Sequence, residues 1–279
     1  MKKQLVRILS TISPSLVTEL AYRTLTNPRI KKLREHELEL LDKAQQKKIK
    51  FGEFDIQTYA WGEEGNEKIL LIHGWEGQAG NFTDIIRVLL KNNYYVIAFD
   101  GPSHGFSSKG KTSLFEFSDL VAKMIQETKC RNLISHSFGG VATTYALSRN
   151  QDVEIDKYVL LTTPDKFRER IEDVARYVGV TDKVKNKLIE RLESEIEMEV
   201  AEANVSLFVK DIKVNKALII HDKNDKIIPI AQSRNVCANW EACEFTEVEG
   251  TGHFRILRTD EVIETVAEFM NQKNQQNGH

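Results

Sequence analysis

From about residue 48 to residue 270, short apolar runs alternate with longer stretches of helical period. Runs at 54–61, 69–72, 94–99, 133–135, 158–162, 217–221 and 245–248 read as strands, and a short charged strand at 48–52 precedes them. Between them, 82–90, 114–128, 138–148, 230–239 and 261–270 carry apolar residues at the spacing of a helix face. Strands that are apolar at nearly every position must be covered on both sides. Their alternation with helices therefore predicts an α/β fold, a parallel sheet between two helical layers.

Two regions depart from this alternation. Residues 1–47 are helical and polar: Leu16, Leu20 and Leu25 share a face before Asn27-Pro28 breaks the helix, and Leu33, Leu40 and Leu41 recur among charges in 30–46. This reads as an extra helical arm packed on the domain rather than a membrane-surface helix, because its polar face mixes both signs. Residues 165–213 hold no clear strand. Phe167, Ile171, Val174 and Val178 mark one amphipathic helix that ends at Gly179, and Thr181 or Asp182 can cap the next, which carries Val184, Leu188, Leu192 and Ile196. The insertion leaves the C-terminal edge of a sheet strand, where such folds bind ligands, so it reads as a lid over a pocket rather than an elaborated crossover. The expected organisation is an arm at 1–47, a core at 48–164 and 214–272, a helical cap at 165–213 and a tail at 273–279.

Composition changes this picture little. The chain has 279 residues, 41% hydrophobic and 29% charged, with a formal net charge of −2. That gives no bulk electrostatic case for nucleic acid or an anionic membrane. Three cysteines, Cys130, Cys237 and Cys243, are too few and too scattered for a disulfide framework or a zinc site and fit a reducing compartment. No apolar run approaches the ~18 residues that span a bilayer. Met1-Lys2-Lys3 has the basic start of a signal peptide, but Arg7 breaks the apolar run and no clear small-x-small cleavage site follows. A cytoplasmic location is expected.

The chemistry concentrates in Ser135-His136-Ser137-Phe138-Gly139-Gly140, between a strand and a helix. A serine at the tip of a sharp strand–turn–helix is the layout of a nucleophile elbow. Small neighbours let strand and helix approach, and the helix N-terminus turns free amides towards charge on a substrate. The usual form is Gly-x-Ser-x-Gly; here Ser135 stands in the first glycine's place.

A serine needs a base, and the base an orienting acid. Asp225 lies in the loop after 217–221, and His253 in Gly250-Thr251-Gly252-His253-Phe254 after 245–248. The order Ser137, Asp225, His253, each just beyond a strand, is one of the known serine-triad orders. Asp222 competes for the acid role but lies nearer the strand end and reads as a turn residue. His73-Gly74-Trp75-Glu76-Gly77 follows 69–72, and its glycines let a backbone amide turn towards the serine. The expected oxyanion donors are the amides of Trp75 and Phe138. His73 reads as a loop brace, and the His136 ring is expected to turn away from Ser137.

These motifs, together with Asp100-Gly101-Pro102-Ser103-His104-Gly105-Phe106-Ser107 and Asp225 with Pro229, resemble the α/β-hydrolase superfamily over residues ~48–272. Ser103 and Ser135 both replace glycines usual in that family. The resemblance implies a mainly parallel eight-stranded sheet, a helical cap after the sixth strand, and hydrolysis with neither metal nor organic cofactor. A capped member with serine at the elbow is similar to carboxylesterases and thioesterases, which implies a small-molecule ester or thioester as substrate. Carbon–carbon bond hydrolases and perhydrolases share the triad, and some relatives of the fold serve as binding proteins; oligomeric state stays open.

Overall fold

The computed structural model describes residues 2–29, 32–196 and 199–272. Eight strands form one sheet in the order β1-β2-β4-β3-β5-β6-β7-β8. They are β1 (Gln45–Phe51), β2 (Phe54–Trp61), β3 (Lys68–Ile72), β4 (Tyr95–Phe99), β5 (Asn132–His136), β6 (Glu154–Leu161), β7 (Lys213–Asp222) and β8 (Cys243–Val248). β2 is antiparallel to β1 and β4, and every other pair is parallel. The helices are α1 (Lys2–Ile12), α2 (Pro14–Thr26), α3 (Glu35–Asp42), α4 (Thr83–Lys91), α5 (Leu114–Thr128), α6 (Phe138–Ser148), α7 (Phe167–Val178), α8 (Asp182–Ile196), α9 (Val205–Phe208), α10 (Ile230–Ala238), α11 (Gly252–Arg255) and α12 (Asp260–Asn271).

The two-residue period of the strands divides the core. Ile69, Leu71, Val96, Ile134 and Ile220 point to one face, under Ile86 and Leu89 of α4 and Val266 and Phe269 of α12. Leu70, Ile72, Ile97, Leu133 and Ile219 point to the other, under Leu120 and Val121 of α5 and Val141 of α6. Parallel strands buried on both faces need this continuous apolar content.

Strand register decides which loops become neighbours. Ile72 pairs with Ser135, so the loops after β3 and β5 leave the sheet side by side. Asp222 pairs with Val248, so the loops after β7 and β8 do the same.

The arm and the insertion pack on each other. Tyr22 of α2 is buried against Ile171 of α7 and Leu188 and Ile189 of α8. The face of α2 that turns inward is Val17, Thr18, Tyr22 and Thr26, while Leu16 and Leu20 are exposed and Leu25 is half-buried. The spacing of leucines thus points to the wrong side of this helix, because a tyrosine and threonines form its contact. In α7, Phe167 and Ile171 turn inward but Val174 and Val178 are exposed. Gly179 ends the helix with φ 88°, and Val184, Leu188 and half-buried Leu192 line the inner side of α8. The Ile196 side chain and the tail at 273–279 lie outside the described residues.

Cys237, at the end of α10, is disulfide-bonded to Cys243 at the start of β8, and Cys130 is buried and free. The turn between α10 and β8 folds back and joins two cysteines that look scattered by count, and the cysteine-based argument for a reducing compartment falls with it. Among the described residues no helix is long and apolar enough to cross a membrane.

Candidate active site

The loops after β3, β5, β7 and β8 converge on Ser137. This residue sits between β5 and α6 with φ 53° and ψ −120°. A non-glycine residue at positive φ costs on the order of 1–3 kcal/mol and persists only where its surroundings over-determine it. Here the Ser137 amide donates to the Leu161 carbonyl at 2.9 Å, and the Gly140 amide donates to the Ser137 carbonyl at 2.9 Å. The close approach also demands the glycines. A Cβ on Gly139 would lie 2.5 Å from the Ile72 carbonyl oxygen, and one on Gly140 would lie 1.9 Å from Thr163 Oγ1.

Ser135, in the place where glycine is usual, is fully buried, and its hydroxyl meets the Tyr158 hydroxyl at 2.8 Å. The departure thus has a partner on the adjacent strand that no local motif could reveal. Ser103, the second departure, has φ 65°, a conformation that favours the usual glycine.

His253, at the start of α11, is buried. Its Nε2 accepts from the Ser137 hydroxyl at 3.0 Å, and its Nδ1–H donates to Asp225 Oδ2 at 2.8 Å. Asp225 Oδ1 accepts from the amides of Ile227 and Ile228 at 2.7 and 3.0 Å. Burial pushes the Asp225 carboxyl up. The His253 ring and those two amides more than offset this and hold it below the usual carboxylate range.

Asp222 does not reach the His253 ring. Its Oδ1 accepts from the Asn224 amide at 2.7 Å, and its Oδ2 accepts from the Thr251 amide and, at 2.6 Å, from the Gly252 amide. It is a turn residue, as its position suggests, but it also clamps the loop that carries His253.

Three further histidines brace the site. His73 donates from Nδ1 to the Gly74 carbonyl at 2.7 Å and accepts on Nε2 from the Gly101 amide at 2.8 Å, which ties the β3 loop to the β4 loop. Burial pushes it down to about 4. His136 does not turn away from the site, contrary to the expectation from its place in the turn. Its Nε2 donates to the His253 carbonyl at 2.9 Å, its ring centre lies 5.0 Å from that of His253, and it lines the cavity. Burial, with His253 adding to it, lowers His136 to about 3. His221 is fully buried, donates from Nε2 to the Ile228 carbonyl at 3.0 Å, and is lowered chiefly by burial. Histidines held neutral in this way serve as fixed hydrogen-bonding struts.

Phe138 opens α6, so its amide has no partner within the helix. Among the described residues neither the Trp75 nor the Phe138 amide donates to a protein acceptor. The two residues adjoin, with ring centres 5.2 Å apart in a T-shaped contact. Gly74 brings its loop against the elbow: a Cβ there would lie 3.0 Å from the His136 carbonyl oxygen.

A cavity of about 720 Å³ opens over Ser137 and His253. Phe138, Val141, Phe167, Val174, Ile228 and Phe254 give it apolar walls, and Lys32, Arg34, Arg170 and Arg258 contribute cations. Arg34 is paired with Glu37 at 2.6 Å, and Arg170 with Asp173 at 3.1 Å. A second, smaller cavity of about 130 Å³ shares Trp75, Phe138, Phe167 and Val174 with the first and reaches Leu25, Ile171 and Leu192. Among the described residues no group of three or more His, Cys, Asp or Glu side chains could hold a metal ion.

The family model for the alpha/beta hydrolase fold matches residues 68–194. A serine hydrolase-like protein of Danio rerio is 24% identical over 278 aligned positions, which cover 77% of this chain and 85% of that one. A serine hydrolase-like protein of Homo sapiens is 30% identical over 115 positions, covering 39% of this chain and 56% of the human one. The solved structure of a Pyrococcus furiosus esterase overlays with a TM-score of 0.64 at 21% identity, covering 88% of this chain and 97% of that one. At that identity the overlay speaks for the fold.

Proposed function

Since the chain belongs to the α/β-hydrolase superfamily, we propose that it is a serine hydrolase that cleaves a carboxylic ester or thioester through an acyl-enzyme on Ser137. One observation carries the reading: Ser137 Oγ donates to His253 Nε2 at 3.0 Å, while His253 Nδ1 donates to Asp225 at 2.8 Å. This is a nucleophile, a base and an orienting acid in one line.

In the proposed reaction Ser137 Oγ attacks the substrate carbonyl carbon, and its proton passes to His253 Nε2. The ionised Asp225 holds the imidazole in the tautomer that can accept this proton, and it stabilises the imidazolium once formed. The carbonyl oxygen becomes an oxyanion and accepts from the amides of Trp75 and Phe138, with the positive end of α6 behind them. Collapse expels the alkoxide or thiolate, which takes the proton from His253 and leaves the acyl group on Ser137. Water then gives a proton to His253, attacks the acyl carbon, and releases the acid as the proton returns to Ser137. Apart from substrate and water, every donor and acceptor in the scheme is a side chain or amide of this chain, and the apolar walls at Val141, Phe167 and Val174 suit an acyl chain.

A fluorophosphonate probe tests the nucleophile, with one label per folded chain expected at Ser137. An acyl-length series of p-nitrophenyl esters beside matching acyl-CoA thioesters tests the bond. A folded protein that neither labels nor turns over any member of either series would exclude the reading.

A further inference from the structure

Among the described residues thirteen large hydrophobic side chains are exposed, and six of them fall within the first 20 positions: Leu5, Ile8, Leu9, Ile12, Leu16 and Leu20. On α1 they are not scattered. Leu5, Ile8, Leu9 and Ile12 follow the i, i+3, i+4, i+7 spacing of one helix face, with Leu5 59% and Ile12 74% exposed. The helix packs by its other side, where Ser10 is 1% exposed and Val6 is half-buried. α1 thus docks on its own fold through a serine and a valine and presents its leucines and isoleucines to solvent. Folding of the chain alone does not account for that orientation, because the burial that would stabilise the apolar face is forgone.

Charge indicates what covers this face. α1 carries Lys2, Lys3 and Arg7 and no acid, and the first acidic residue of the chain is Glu19, which is paired with Arg23 and Arg191. The mixed signs that argue against a membrane-surface role belong to the later part of the arm. The apolar surface also leads to the active-site mouth. α1 packs beside α7, and Gly179 at the end of α7 lies against Lys3. On α7, Val174, Tyr177 and Val178 are exposed on one face, Tyr177 at 85%, and Val174 lines the cavity over Ser137. The acids of α7 do not oppose an anionic partner: Glu169, Glu172 and Asp173 are paired with Lys166, Arg168, and Arg170 and Arg176 respectively.

We propose that the exposed face of α1, continued by the outer face of α7, docks on an anionic lipid surface and so turns the mouth of the cavity towards the bilayer. An apolar stripe with basic flanks and no acid is the make-up of a helix that lies in a membrane interface. The docking stands on this geometry alone; only what is cleaved after docking rests on the proposed ester hydrolysis.

Flotation of the full chain with vesicles of phosphatidylcholine, and with mixed phosphatidylcholine–phosphatidylglycerol vesicles, tests it. Binding to the mixed vesicles is expected to exceed binding to phosphatidylcholine by about tenfold or more and to weaken as salt is raised. The triple variant Leu5→Ser, Ile8→Ser, Ile12→Ser should lose binding to both by about tenfold or more. Lys3→Glu with Arg7→Glu should lose chiefly the anionic preference. Labelling of Ser137 by a small soluble phosphonate should be unchanged in both variants, which also reports that they fold. Wild-type protein that floats with neither vesicle would overturn the proposal. So would a lipid-free dimer that the triple variant dissociates, since a second copy would then cover the face. Vesicle binding by a protein that fails to label would leave the docking standing and remove the ester-hydrolase reading instead.

Discussion

The sheet and the helices that roof it solve different problems. At the ends of β3, β7 and β8, polar groups such as the His73 ring, the Asp225 carboxylate and the His253 ring are each held by named partners. In the arm and the insertion, by contrast, apolar side chains such as Leu5, Ile12 and Tyr177 stay in solvent. The first arrangement holds a few atoms in fixed mutual geometry, as the proposed acyl transfer would require. Under the proposed function the second would set what can approach them. On that reading reaction chemistry and access are assigned to different parts of the chain, and substitutions should separate them.

The largest effect is expected at the proposed nucleophile. Ser137→Ala should lower ester turnover by on the order of 10⁴–10⁶ while the circular dichroism spectrum stays that of the wild type. Near wild-type turnover in a clean preparation would end the contrast at its root. Next, Asp225→Asn should cost about 10³–10⁴ in kcat, because the amide no longer selects the productive tautomer of His253. Asp222→Asn should cost only about 10–10²-fold, because it loosens the loop under His253 without touching the ring. A reversal of that ranking, measured side by side, would transfer the acid role to Asp222.

The pH dependence of stability probes the struts of the site. His73 is held near 4 and His136 near 3, each chiefly by burial, and burial lowers His221 as well. An unfolded imidazole takes its proton at about 6.5. Between that value and the depressed native ones the unfolded chain binds protons that the native chain refuses, so acidification favours unfolding. The slope is up to about 1.4 kcal/mol per pH unit for each histidine. Urea unfolding of Ser137→Ala should therefore show stability falling steadily from about pH 6.5 towards pH 4. A flat profile over that range would mean that these rings are not the rigid, dry supports described.

The smallest effect is expected in the roof. Phe167→Ala enlarges the apolar wall shared by the two cavities. It should shift the preferred acyl length and change KM by about 3–10-fold, with labelling of Ser137 by a small phosphonate unaltered. An unchanged acyl-length profile would mean that α7 merely covers the site and takes no part in selection.

The same division decides what can be read from the chain. The buried strands and the elbow are local: an apolar run, a small-residue turn and the order of Ser137, Asp225 and His253 suffice to locate them. The ends of strands are less visible. β6 and β7 begin at Glu154 and Lys213, four residues before their apolar runs, and β1 begins at Gln45, because charged and polar residues interrupt the apolar pattern at these strand starts, even where Ile155 and Lys157 of β6 are buried. What is non-local is hidden altogether. Tyr158 explains Ser135 only once β5 and β6 are paired. The hydrogen bond from His136 to the His253 carbonyl joins residues on either side of β6 and β7. The inward face of α2 depends on Tyr22 meeting α7 and α8, an encounter that no periodicity announces.

The short turn from Asp222 to Ile228 has a consequence for how the chain can be altered. One aspartate at its start holds the backbone of the loop after β8, and the other, three residues on, holds the ring that the loop delivers. Height and tilt of the imidazole are therefore set from a single stretch of main chain, like two legs of one tripod cut from the same piece. Adding or removing one residue between them would displace one support relative to the other, whatever its chemical nature. Surface loops usually accept insertions; this one should reject even a glycine, and length-scanning libraries should find it among the most intolerant positions of the molecule.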